Sequence, residues 1–242
     1  MVPYFSTFLY ITCINYFDSN VISDYLTAIM GAERTIENLL LDGGVLCLDF
    51  TNTVHSRRES PVFDYLQSFE DWIKWLRKVK ALSPLRLNEL QSYARKHKSQ
   101  AAEALKEVKE IRETIYLLFF SVAADKPVES EVLSSFNVLL SEALSNIRIR
   151  VQEHEVHIEW NRRELHLNEP LWVIVKSGYD VLIDTPFKRI RSCEACGWLF
   201  LDQSKNNSRR WCNMQTCGSI HKARKYYHRK KKRKNSQKSS EN

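Results

Sequence analysis

Four cysteines carry the chemistry most legible in this chain: Cys193, Cys196, Cys212 and Cys217. Two residues separate the members of the first pair, fifteen lie between the pairs, and four separate the members of the second. Short cysteine loops facing each other supply soft thiolate ligands at the corners of a tetrahedron, the arrangement a structural zinc ion takes. An iron–sulfur cluster accepts the same four thiolates and stays open at this point. Disulfide pairing is disfavoured, because no secretory signal is legible and closely spaced cysteines in a reducing compartment bind metal more often than they oxidise.

The elements expected to position these ligands are short. Trp198 to Leu201 reads as a strand, Ser204 to Ser208 as a polar turn, and Arg209 to Trp211 as a returning strand, so the cysteine pairs should meet across a hairpin. From Ser219 to Lys234 the chain lacks Gly and Pro and reads as a helix whose N-terminus favours the Cys217 thiolate. On that helix Ile220, Ala223 and Tyr227 share one face, and Lys222, Lys225, Arg229 and Lys232 share the opposite one. Arg191, Arg209 and Arg210 stand near the ligands and can offset thiolate charge. Trp198 and Trp211 are expected to shield the site.

The run from Cys196 to Gly218, CGWLFLDQSKNNSRRWCNMQTCG, followed by a Lys/Arg-rich segment, resembles the CGNR-type zinc finger found C-terminal to an ABATE domain in bacterial proteins. Gly43 to Thr53, GGVLCLDFTNT, resembles the opening of the ABATE domain itself. The resemblance spans roughly Leu40 to Lys234 and implies a stress-related transcription regulator with one zinc ion. It departs from the family at the name-giving tetrapeptide, which here reads Cys217-Gly218-Ser219-Ile220, without the family's Asn and Arg.

Charge is divided unevenly along the 242 residues. The formal net charge is +7, but from Arg191 onward there are 14 Lys/Arg against 3 Asp/Glu, a net of +11. The preceding residues carry 22 against 26, a net of −4. A basic segment of this kind suits a polyanion, with nucleic acid ahead of a membrane surface because no large apolar moment accompanies it. Phosphate contacts are assigned to Lys222, Arg224, Lys225, Arg229, Lys230, Lys231, Lys232 and Arg233, with Arg209 and Arg210 joining Lys222 and Arg224 as candidates for base edges.

Residues 1–39 form an extension of unassigned role. It is apolar and aromatic, with no Lys or Arg before Arg34, and Asn15, Asp18, Ser19, Asn20 and Asp24 interrupt it too often for a membrane span. It reads as an extra helix or as sequence upstream of a start at Met30. Val45 to Phe50 reads as a buried strand leaving the turn at Asp42-Gly43-Gly44, with Cys47 a buried hydrophobe. Asp49, Asn52, His55 and Arg57 bring polar groups to its end. They are read either as a candidate ligand pocket or as local caps and turn hydrogen bonds.

Helical periodicity follows: Phe69 to Val79, an element opened by Ser83-Pro84, a long stripe from Leu105 to Val122, and another helix opened by Pro127. At Asn146 the period changes to two. Ile147, Ile149 and Val151, then Val156, Ile158 and Trp160, make a hairpin turning near Glu153-His154-Glu155. His154 and His157 lack a third ligand and are read as structural. Leu165 and Leu167 suggest a third strand, and Leu171 to Ile183 a last helix.

The chain shows no phosphate loop, Gly-x-Ser-x-Gly elbow or His-Glu-x-x-His, so an enzyme is not expected. The reading is an α+β chain. Residues 40–187 form a mostly α-helical, ABATE-like domain with a small antiparallel sheet. Residues 188–234 form a treble-clef-like four-cysteine zinc finger with a basic helix, and 235–242 a disordered tail. Loss of a ligand cysteine should unfold the finger by itself. Duplex DNA is the expected partner and the cytoplasm, at the nucleoid, the expected location. RNA binding or a protein-interaction module is the alternative, and the oligomeric state is not assigned.

Overall fold

In the computed structural model, the structure describes residues 33–161, 165–219 and 221–222. Helices dominate, with two small antiparallel sheets. At the centre lies the short helix α1 (Leu46–Thr51), in which Cys47, Leu48, Phe50 and Thr51 are all buried. This corrects the expected strand at Val45 to Phe50. A short apolar run bounded by glycines is ambiguous by periodicity, and here the turn decides it. The Asp49 carboxylate reaches back to accept from the Gly43 amide at 2.8 Å. Gly43 is tight against that helix: a Cβ there would sit 2.6 Å from the Asp49 nitrogen.

The next helices start where their sequence caps put them. Helix α2 (Phe69–Lys78) carries a capping box between Ser68 and Asp71. Its Trp72 and Trp75 stack at 5.3 Å, and both lean on Phe50 of α1. Helix α3 (Pro84–Lys96) has Ser83 as its cap and Pro84 in its first turn. Helix α4 (Lys98–Ala123) is the spine, burying Leu105, Val108, Ile111, Ile115, Leu118 and Phe119. Helix α5 (Ser130–Ser145) begins three residues after Pro127 rather than at it.

Strands β1 (Ile147–Gln152) and β2 (Glu155–Trp160) form the expected hairpin, with Glu153 and His154 at positive φ in its turn. Leu165 and Leu167 add no strand to it. That stretch leads instead into α6 (Glu169–Asp184), where Pro170 sits in the first turn. Glu169, almost wholly buried, takes a two-pronged ion pair from Arg86 of α3 at 2.6 and 2.7 Å.

After a 3₁₀ turn at Phe187–Arg189, strand β3 (Ile190–Ser192) pairs antiparallel with β4 (Leu199–Leu201). The expected return strand at Arg209 to Trp211 does not form, so the hairpin partner of Leu199–Leu201 precedes it in the chain. Asp202 gives the reason. Its carboxylate accepts from the Ser204 and Arg209 amides, both at 2.9 Å, which closes the 202–209 loop by side chain rather than by a ladder. Ile190, Leu199 and Phe200 are buried in the same core as α1, α2 and α4. The cysteine-bearing segment thus packs into the helical body.

Candidate metal centre

The first cysteine pair occupies the turn between β3 and β4. The Cys193 amide donates to the Trp198 carbonyl at 2.7 Å, and the Gly197 amide to the Cys193 carbonyl at 2.9 Å. Gly197 is required there. Its φ is +79°, and a Cβ would lie 2.8 Å from the Arg57 Cβ. The second pair is set by Asn213, whose side-chain oxygen accepts from the Gln215 and Thr216 amides at 2.9 and 3.2 Å. That cap starts a π-helical turn over Met214–Gly218, so Cys217 lies inside the first turn rather than ahead of a helix starting at Ser219. A backbone bond from Glu194 to the Arg210 carbonyl at 3.0 Å ties the two halves together.

The four Sγ atoms lie within 4.8 Å of one another. Cys196 to Cys212 and Cys212 to Cys217 are each 3.7 Å. Thiolates at a zinc–sulfur distance of about 2.3 Å on a tetrahedron stand about 3.8 Å apart, so the donor set fits one zinc ion in size as well as chemistry. The thiols also compete for charge. Hydrogen bonds from Cys196, Cys212 and Cys217 pull the Cys193 thiol far below the ordinary range. Cys193 first, with Cys217 and against Cys212, pushes Cys196 far above it, and Cys193, Cys196 and Cys217 push Cys212 far above it. A divalent cation held by these four cysteines would offset that repulsion and let all four ionise. Among the described residues, these four are the one cluster of this kind.

Arg209 and Arg210 are engaged within the finger. Arg209 donates to the Cys212 carbonyl and lies over the Phe200 ring at 4.9 Å. Arg210 pairs with Glu194 at 2.7 Å and lies over Trp211 at 5.2 Å. Lys222 is exposed. Arg224, Lys225, Arg229, Lys230, Lys231, Lys232 and Arg233 lie outside the described residues, as do most of the N-terminal extension and the tail.

Of Asp49, Asn52, His55 and Arg57, three join the finger to the helical body or brace that junction. The Asn52 amide, 1% exposed, donates to the Leu199 carbonyl at 2.8 Å and accepts from the Leu199 amide at 3.0 Å, replacing a strand partner for β4. The Arg57 amide donates to the Cys196 carbonyl at 2.7 Å. The Arg57 guanidinium lies 3.8 Å over the Tyr116 ring, holds the Thr51 carbonyl at 2.7 Å and pairs with Glu113. Asp49 is held at Gly43, whose carbonyl accepts from the Leu201 amide at 2.9 Å. His55 instead bonds the Tyr65 hydroxyl at 2.9 Å.

Three further bonds cross the same junction. The Trp198 indole donates to the Val54 carbonyl at 2.7 Å, the Tyr116 hydroxyl to the Gly197 carbonyl at 3.2 Å, and the Asn213 amide to Asp42 at 3.2 Å. Sequence reasoning missed Asn213 and Tyr116. An Asn directly before a helical turn is a readable cap signal; nothing local marks Tyr116.

A cavity of about 350 Å³ lies elsewhere, lined by Glu107, Glu142, Asn146, His166, Leu167, Asn168 and Trp172. Among the described residues no helix is long and apolar enough to cross a membrane.

Comparison with known proteins agrees with this architecture. No curated protein matches the chain. The family model described as "CGNR zinc finger" matches residues 189–230. The ABATE model, described as "Putative stress-induced transcription regulator", matches residues 44–185, more than half of the chain. The protein therefore belongs to the ABATE family and carries a CGNR zinc finger at its C-terminal side.

Proposed function

We propose that this protein is a zinc-dependent DNA-binding regulator, in which one structural zinc ion on Cys193, Cys196, Cys212 and Cys217 sets the direction of a basic segment that contacts the phosphate backbone. The charge division carries the reading: the net +11 from Arg191 onward is set against −4 for the rest of the chain. Four protein thiolates leave no position for water or substrate, so the zinc supplies folding free energy and not catalysis.

Arg209 and Arg210 already bond within the finger and stay candidates for base edges, so affinity rests mainly on Lys222, Arg224, Lys225, Arg229 and the basic run through Arg233. Neutralising about five phosphates gives a slope near −4.5 for log K against log salt. Fluorescence anisotropy with random duplex DNA, single-stranded DNA and RNA, on the zinc-loaded chain and on one ending at Ile220, tests the reading. Duplex preference with that slope, lost on truncation, is the expected result. Equal binding by the truncated chain, or none at low salt, would turn the assignment toward a protein-interaction module, and a preference for RNA toward the RNA reading.

A further inference from the structure

The β1–β2 hairpin has one apolar face and one polar face. In its register Ile147, Ile149 and Val151 stand opposite Trp160, Ile158 and Val156. Side chains alternate across a strand, so these six share one face, while Arg148, Arg150, Gln152, Glu155, His157 and Glu159 share the other. The base of the hairpin is anchored: the Asn161 amide donates to the Asn146 carbonyl at 2.7 Å, and Trp160 packs against the core. Beyond the base the apolar face is exposed, with nothing packed over it among the described residues. Ile149 is 70% exposed, Val151 68%, Val156 67% and Ile158 51%. The polar face pairs Arg150 with Glu159 at 3.0 Å within the hairpin. A two-stranded hairpin alone is marginally stable in water, and a contiguous exposed apolar patch marks an interaction surface.

We propose that this face is the contact between two copies of the chain, packed apolar face on apolar face. The face is self-complementary. Its two outer rungs are Ile149 with Ile158 and Val151 with Val156. A two-fold axis running across the strands between these rungs sets the isoleucine rung of one copy over the valine rung of the other, larger side chains over smaller. Among the described residues of the hairpin no charged side chain lies on this face, so a nucleic acid or a charged peptide meets no counter-charge from them. The charged face stays in water on both copies. Four side chains exposing on the order of 100 Å² each give roughly 800 Å² for the pair, below the usual 1,200 Å² of a stable complex. A contact of that size belongs with weak, transient associations, so the dimer is one that forms only at high protein concentration.

The inference does not rest on nucleic-acid binding, and its test contains no DNA. Sedimentation velocity of the zinc-loaded full chain over roughly 5 to 300 µM should show a monomer of 28.5 kDa passing into a dimer. Ile149→Arg and, separately, Ile158→Asp should each weaken association at least about tenfold with an unchanged far-ultraviolet spectrum, whereas Arg148→Glu on the polar face leaves it intact. A full chain that stays monomeric throughout, or a dimer indifferent to both apolar-face substitutions, overturns the proposal. A monomeric full chain beside a dimeric chain begun at Met30 overturns it in a particular way, by identifying the N-terminal segment as the occupant of the face.

Discussion

Asp49 shows how one side chain can shape a turn at a cost that depends on pH. Burial raises its carboxyl to about 6, against the opposing hydrogen bond from the Gly43 amide. A carboxyl whose folded-state value exceeds its unfolded one binds a proton on folding. Its contribution is therefore most favourable at low pH and is lost as the pH rises through about 6. Charged Asp49 then costs on the order of 2–3 kcal/mol at neutral pH. Asn keeps the acceptor without the charge. Asp49→Asn should be more stable than the parent by about 2 kcal/mol at pH 7.5 and equal to it near pH 4, read as the difference between paired urea unfolding curves. A constant difference across that range would mean that Asp49 ionises freely in the fold. The sequence reveals Asp49 as a polar residue in an apolar run. It does not reveal the partner, because Gly43 becomes one only once residues 46–51 wind into a helix.

Among the elements, those with local signals were legible and those defined by distant partners were not. Helices α2 and α3 announce themselves by Ser68 with Asp71 and by Ser83-Pro84, and the β1–β2 hairpin by its change of period. Periodicity also marks the hairpin's apolar face, but alternation reports a face and not what lies against it. Helix α1 was misread as a strand because six residues, four of them buried, are too few to show an amphipathic stripe. The partner of β4 was misread because Asp202 closes the following loop, and the free side of Leu199 goes to Asn52, 147 positions earlier in the chain. That pairing is testable as a seam between α1 and β4. Asn52→Ala leaves the buried Leu199 amide and carbonyl unpaired and should lower unfolding free energy by about 3 kcal/mol in urea titration. A loss below about 0.5 kcal/mol would show that the seam is held elsewhere.

At the scale of the whole molecule, the cysteine spacing and the two family resemblances made the finger and the helical body legible, but as two units joined in series. The structure joins them side to side. Leu199, Phe200 and Trp198 share the core with Phe50, Trp72 and Trp75, and bonds from Asn52, Val54, Arg57, Tyr116 and Gly43 reach the turn and strand that carry the first cysteine pair. Against the expectation that loss of a ligand would unfold the finger alone, this shared core predicts coupling. Zinc binding to a site of this type contributes on the order of 10 kcal/mol, and the shared core passes that free energy to α1. The most direct test is amide hydrogen exchange on the full chain with zinc bound and after chelation, read at residues 46–51 and 198–201. The predicted result is that both segments lose protection together when the metal is removed. Retained protection in α1 while 198–201 opens would contradict the account and restore the picture of an independent finger.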